Sequence, residues 1–308
     1  MNSVNKKIYF IYNPQAGMGK IRENLSQIIE IFSNSGFEVT VRPTSKAGDA
    51  KSATIEADGS YDIIACSGGD GTLDDVTAGM LLSKSKVPIG YIPAGSTNDF
   101  AQSLKIPMNM LDAAEVIAQR NSMAFDMGKF NDKSFVYVAA FGLFTDVSYE
   151  TSQDMKNTFG HFAYIIEAAT RLPQIRSYHM KVEYDGKTMD DDFILGMVSN
   201  SLSVGGMKDI TGNGVILNDG LFEVTLIKNP VQMQDFTDIA TAVFTRSQDN
   251  RFVFNFKTNK IKFSSSEDVP WTLDGEFGGN PKNVFLENMQ CALEMIVPKN
   301  VSLPCLTI

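Results

Sequence analysis

Short apolar runs alternate with amphipathic stretches through the first third of this chain, and that rhythm leaves few folds open. Ile8–Tyr12 has the length and apolar character of a buried strand, and Lys20–Asn34 carries Ile21, Leu25, Ile28, Ile29 and Phe32 at helical spacing. Glu38–Arg42 returns to strand character, which completes a βαβ unit. The pattern then repeats, with a helix predicted over Asp49–Ala57, a strand over Tyr61–Ser67, a helix over Thr72–Leu82 and a strand over Val87–Ile92. Strands joined in this way form a parallel sheet covered by helices, and such sheets bind ligands in the crevice at the carboxyl ends of their strands.

Beyond two further helices, Asn98–Leu104 and Leu111–Gln119, strand-like segments take over: Ser134–Phe141, Tyr178–Tyr184, Phe193–Asn200, Leu221–Ile227, Arg251–Phe256, Lys260–Ser264 and Asn283–Glu287. Asp185-Gly186, directly after Val182-Glu183-Tyr184, suits a tight primed hairpin turn. At about 150 residues per domain, a chain of 308 residues suggests two. The sequence therefore predicts an α/β domain with a parallel sheet over 1–125 and a mainly antiparallel β sandwich over 126–297. Helices are expected within it near 159–171 and 231–244, Ala292–Val297 could form a last strand, and 298–308 is expected to fold back on the first domain.

Composition narrows the function. With 43% hydrophobic and 20% charged residues the chain can bury a substantial core. A net charge of −9 gains nothing from counterion release at a phosphate backbone, so nucleic acid is excluded as a partner, while a local basic patch could still serve at a lipid surface. Cys66, Cys291 and Cys305 are odd in number and lack metal-type spacing, which suggests reduced thiols in the cytoplasm. His161 and His179 have no Cys partner in spacing, so zinc is not expected. The polar N-terminus and interrupted uncharged runs predict a soluble protein without a transmembrane segment.

The segment Ser67-Gly68-Gly69-Asp70-Gly71-Thr72-Leu73-Asp74-Asp75 lies between an apolar strand and an amphipathic helix. Consecutive glycines let backbone amides approach a ligand, and a helix start behind them favours phosphate. Thr72 and Asp75 have the spacing of a capping box. Asp70 would repel an anion unless a cation lay between them, which points to a Mg²⁺–nucleotide complex. A second loop, Pro93-Ala94-Gly95-Ser96-Thr97-Asn98-Asp99-Phe100, follows another predicted strand and would reach the same sheet edge; Asp99 there could bind metal or its water. The first strand leads into Asn13-Pro14-Gln15-Ala16-Gly17-Met18-Gly19-Lys20, which lacks the glycine spacing of a Walker A loop but could cradle phosphate with Lys20 as counter-charge.

These three loops, in this order and spacing, resemble those of the diacylglycerol kinase catalytic-domain superfamily, and the resemblance extends over nearly the whole chain. Gly-Gly-Asp-Gly alone is shared with NAD kinases and phosphofructokinases; the three loops together are specific. The resemblance implies an NAD kinase/phosphofructokinase-like nucleotide domain followed by a β-rich lipid-binding domain, with ATP and lipid meeting in the cleft between them. By the same comparison, Thr44, Thr97 and the run Gly69 to Asp75 would contact ATP; the chemistry of the loops adds Asn13, Lys20, Gly68, Gly95 and Asn98, with Asp70 and Asp99 at the catalytic Mg²⁺. Trp271-Thr272-Leu273-Asp274-Gly275-Glu276 resembles the family's Asp-Gly-Glu segment, which makes Glu276 the base for the lipid hydroxyl and Asp70 its catalytic companion. Asn218-Asp219-Gly220-Leu221-Phe222 resembles a structural Mg²⁺ loop, with ligands from the Asp219 carboxylate and the backbone of Ile216 and Leu221. Where many relatives carry Asn-Glu after the tetrad, this chain has Asp74-Asp75, which leaves the role of Asp75 open.

The implied activity is ATP- and Mg²⁺-dependent phosphorylation of a lipid hydroxyl in phospholipid metabolism, with diacylglycerol giving phosphatidic acid. The cytoplasmic enzyme would then attach transiently to the membrane surface, with self-association as a homodimer left open. Phe141, Phe144 and Met207 either fill the core or line an acyl groove. Two other readings stay open: phosphorylation of a soluble dinucleotide in the manner of NAD kinase, and a nucleotide- or lipid-binding regulator without catalysis.

Overall fold

A computed structural model of the chain describes residues 6–95, 98–143, 176–204, 207–208, 215–245 and 250–301. The chain divides into two compact units. Of the described residues, the first holds those up to Asp126 and Gln290–Val301, the rest of the tail expected to fold back, 302–308, lying outside them; the second unit is Met127–Met289. The returning segment thus begins at Gln290, inside a strand, and not after Val297.

The first unit follows the alternation read from the sequence. Its elements are β1 (Lys6–Tyr12), α1 (Ile21–Asn34), β2 (Phe37–Pro43), α2 (Asp49–Glu56), β3 (Ile63–Gly68), α3 (Asp70–Leu82), β4 (Ile89–Pro93), α4 (Asp99–Ser103), α5 (Met110–Ala118) and β5 (Ser122–Phe130), which runs on into the second unit. β1 pairs in parallel with β2 and β3, and β3 with β4. Every residue of β3 and β4 is buried, as expected of central strands covered on both faces, whereas β2 at the edge has exposed positions. α1 buries Ile21, Ile28 and Phe32 and packs on α5; α2 packs on α3.

The order β2-β1-β3-β4 reverses direction between β1 and β3, and a crevice opens at such a switch point. Register aligns the strand ends: Tyr12 stands opposite Pro43 and Ser67, and Gly68 opposite Pro93. The turns after β1, β2, β3 and β4 therefore leave one edge of one sheet.

The second unit is antiparallel. Its elements are β6 (Lys133–Phe135), β7 (Val138–Gly142), β8 (Tyr178–Tyr184), β9 (Lys187–Ser199), β10 (Ser203–Val204), β11 (Met207–Lys208), β12 (Phe222–Lys228), α6 (Met233–Thr245), β13 (Val253–Thr258), β14 (Lys260–Ser264), β15 (Trp271–Leu273), β16 (Glu276–Gly279) and β17 (Asn283–Ile296). β17 continues into the first unit, where Met295 pairs in parallel with Ile89 of β4. β9 pairs with β7, β8 and β12. Asp185 and Gly186, both at positive φ, form the two-residue turn between β8 and β9. Trp271 is fully buried and packs against Phe130, Phe141 and Phe263.

Several expectations change. α3 begins at Asp70 with Gly69 as its extended N-cap and no side-chain cap, so Thr72 and Asp75 do not form a capping box. Thr72 already lies inside the helix, whereas such a box requires it just ahead of the first turn. The predicted strand Ser134–Phe141 is two strands, since the amides of Val136, Tyr137 and Val138 bond the Asp274 carboxylate. Ala292–Val297 is not a separate strand but the end of β17. Phe141 is fully buried beside Trp271, so it packs the core and lines no acyl groove. Phe144, His161, Cys305 and the helix expected at 159–171 lie outside the described residues; Met207 falls in β11.

Candidate active site

The turns at the carboxyl edge of the first sheet touch through backbone. A Cβ added to Gly17 would lie 2.5 Å from the Ala94 carbonyl oxygen, and one added to Gly95 would lie 2.7 Å from the Gly69 Cα. Neither distance admits a side chain, so glycine is required at both contacts, and at Gly17 a φ of +58° requires it again. The Asn13 amide donates to the Ser67 carbonyl, the Ala94 amide to the Gly68 carbonyl and the Thr44 amide to the Tyr12 carbonyl. The turns after β1, β3 and β4 are thus stitched into one backbone surface, with Thr44 tied to the end of β1.

Asn98 holds the β4 turn closed. Its Oδ1 accepts from the Gly95 amide at 3.0 Å, and its Nδ2 donates to the Gly95 carbonyl at 2.8 Å. The buried Tyr91 hydroxyl lies 3.0 Å from the same Oδ1 and 3.1 Å from the Gly68 carbonyl, joining two turns. Tyr91 was not singled out from the sequence; its signal was a hydroxyl inside an otherwise apolar strand, where it must find a partner.

Asp70 joins the same two turns. Its carboxylate accepts the backbone N–H groups of Asn98, Asp99 and Phe100. Burial, followed by the nearby Asp99 charge, pushes its carboxyl up to about 6. Its Oδ1 is buried without a hydrogen-bond partner. A hard cation suits such a site: an orphaned carboxylate oxygen with a second, buried carboxylate beside it. The donor set around Asp70 and Asp99 therefore fits Mg²⁺.

The remaining candidates of this unit separate into backbone and side-chain roles. Gly71 is exposed in the first turn of α3, with open space where its Cβ would be. Leu73 and Thr72 are buried; the amides of both donate to the Gly69 carbonyl, and the Thr72 side chain fills the space beside Gly68. Asp74 lies close enough to Cys66 and Tyr91 to act on both electrostatically. Asp75 accepts the Gly48 amide at 3.0 Å, a tie between the start of α2 and α3. Asn13 accepts the Gln15 amide through Oδ1, and Lys20 is exposed ahead of α1. Thr97 lies outside the described residues.

In the second unit, Glu276 opens β16 after the two-residue turn Asp274-Gly275, both at positive φ, and its side chain is exposed. The turn is anchored by Asp274, whose carboxylate accepts the amides of Val136 at 2.6 Å and of Tyr137 and Val138 at 2.9 Å. The Tyr137 hydroxyl donates to the Asp274 carbonyl. Asp274→Ala would leave three buried amides without acceptors, at about 1 kcal/mol or more each. We expect it to lower unfolding stability by at least about 3 kcal/mol, measured by denaturant titration, and to disorder the Glu276 turn.

The loop at Asp219 differs from the expected cation site. Asp219 Oδ1 accepts the Leu221 amide at 3.0 Å, while Oδ2 lies 3.4 Å from the Lys257 ammonium. Ile216 belongs to the same loop. An ammonium, not an open position, faces the carboxylate, so this loop does not fit the structural Mg²⁺.

Two family models match the chain in succession. The family model described as the diacylglycerol kinase catalytic domain matches residues 7–130, and that described as the YegS C-terminal NAD kinase beta sandwich-like domain matches residues 138–303. A diacylglycerol kinase of Bacillus subtilis (strain 168) is 32% identical over 297 residues, covering 96% of this chain and 97% of that protein. One of Staphylococcus carnosus (strain TM300) is 32% identical over 306 residues, covering 97% of each. The crystal structure of a diacylglycerol kinase from Bacillus anthracis str. Sterne superposes with a TM-score of 0.77 at 25% identity, covering 98% of this chain and all of that one.

Proposed function

This chain belongs to the diacylglycerol kinase catalytic-domain family and is a lipid kinase, and from that premise we propose that it transfers the γ-phosphoryl group of ATP to the free hydroxyl of diacylglycerol, giving phosphatidic acid. The observation that carries this reading is the backbone surface made by the turns after β1, β3 and β4, with the unpartnered Asp70 oxygen within it.

Close backbone approach at Gly17, Gly69 and Gly95 suits a triphosphate, because amides can reach phosphate oxygens that side chains would keep away. The uncapped start of α3 adds open amides and a partial positive charge. Asp70 and Asp99 would hold Mg²⁺, which supplies neutralisation of the charge on the transferring phosphoryl group. Glu276, exposed on a turn that Asp274 fixes, would accept the proton of the attacking hydroxyl.

A diacylglycerol acceptor lies in a bilayer, so the reading includes transient attachment to a membrane surface from the cytoplasm. No helix among the described residues is long and apolar enough to cross a membrane. The test is a kinase assay with labelled ATP and Mg²⁺ on diacylglycerol in mixed micelles, beside other lipid alcohols and NAD. Phosphatidic acid should be the main product. Phosphorylation of NAD in preference to every lipid would overturn the reading, and turnover confined to another lipid alcohol would correct its acceptor.

A further inference from the structure

The pair Glu223 and Lys257 arises from strand register. β12 and β13 are antiparallel, and the two residues stand directly opposite each other. The Lys257 ammonium lies 2.9 Å from Glu223 Oε1 and 3.4 Å from Asp219 Oδ2. Both acids are nearly inaccessible, with side-chain exposures of 5% for Glu223 and 8% for Asp219. Two buried acids this close repel when both are ionised, and burial first, with Asp219 beside it, pushes the Glu223 carboxyl up to about 7; the ammonium between them is what lets both carry charge.

We propose that the Lys257 ammonium is the permanent cation of the loop around Asp219, so that the loop needs no divalent ion and binds one only when the lysine is removed. Three features support it. The lysine is delivered by a paired strand, whose register sets it opposite Glu223. Asp219 Oδ1 is already committed to the Leu221 amide, which leaves Oδ2 for a cation, and Lys257 stands before it. The ammonium also contacts both acids, as a bridging metal would. The inference is independent of the lipid acceptor, and its test uses neither ATP nor lipid.

Thermal unfolding of the apo protein is compared in EDTA and in magnesium chloride at matched ionic strength. The wild-type midpoint should not depend on Asp219: any shift with Mg²⁺ should persist in Asp219→Asn. Lys257→Met should lower the midpoint by about 5 °C, and Mg²⁺ should restore most of that loss. Lys257→Met combined with Asp219→Asn should show no such restoration. Should Lys257→Met fail to fold, Mn²⁺ binding to wild type and to Asp219→Asn, followed by electron paramagnetic resonance, decides instead; equal stoichiometry is expected. A wild-type site for Mg²⁺ or Mn²⁺ that disappears in Asp219→Asn would overturn the proposal, as would a Lys257→Met protein whose lost stability Mg²⁺ does not restore.

Discussion

Glu276→Gln is expected to lower kcat for lipid phosphorylation by about 100- to 10,000-fold, the range a positioned general base contributes, while the thermal midpoint stays within about 1 °C of wild type. The two halves of this expectation have separate grounds. Gln is isosteric with Glu, and the side chain it replaces is exposed at the first position of β16. The turn is held elsewhere, by Asp274 and its three amide donors and by the pairing of Leu273 with Glu276, whose backbone groups the substitution keeps. What Gln cannot do is accept a proton. The KM for ATP should therefore change little, because the nucleotide reading draws on the turns of the first unit. Retention of more than about one third of wild-type kcat would remove Glu276 from the reaction.

The sequence made much of this legible, for a physical reason. Glycine at a tight backbone contact has no substitute, so the loops of Gly17 and Gly95 stand out in the sequence, and the structure sets these two against Ala94 and Gly69. The alternation of apolar strand and amphipathic helix likewise shows β1 to β4 of the parallel sheet, and Ala292–Val297 reads as a strand; β5, and the pairing of the end of β17 with β4, depend on residues far apart in sequence.

What remained hidden was the partner of each polar side chain. Asp70 reads as a metal ligand from its place in a phosphate loop, yet the same carboxylate also takes three amides from the start of α4, roughly thirty residues on. Asn98 reads as a ligand contact, yet it clamps its own turn through both ends of its amide. Asp274 reads as half of an Asp-Gly turn, and nothing local shows that it also anchors the amides of Val136, Tyr137 and Val138. Likewise Lys257 looks like an ordinary β-strand lysine until register sets it opposite Glu223. Hydrophobic periodicity reports which face of an element is buried; which distant charge a buried acid meets is set by topology.

The largest separable effects should come from Asp70→Asn, because the residue carries two functions with opposite pH signatures. Burial first, and the Asp99 charge second, raise its carboxyl to about 6 in the folded protein. A carboxyl whose folded value is raised contributes stability that is fully present below its unfolded value, near 4, and lost as pH rises through about 6. At pH 8 without nucleotide, ionised Asp70 therefore costs on the order of 2 kcal/mol. Asn keeps an oxygen to accept the amides of Asn98, Asp99 and Phe100, and it places an NH₂ at the position of the orphaned Oδ1, beside Asp99. The variant should match wild type at pH 4, where both side chains are neutral, and exceed it by about 1 to 2 kcal/mol at pH 8, measured by denaturant unfolding of the apo protein at both values. Phosphoryl transfer should fall at least about 100-fold at pH 8 and should not return with added Mg²⁺, since an amide is a poor ligand for a hard cation. Equal destabilisation at both pH values would mean that the carboxylate serves only to tie the turns. Higher stability with activity intact would mean that its charge is not used at all. Stability gained together with turnover lost is the signature of a buried acid held ionised for a cation, because the same charge that costs the apo protein stability is what a metal would require.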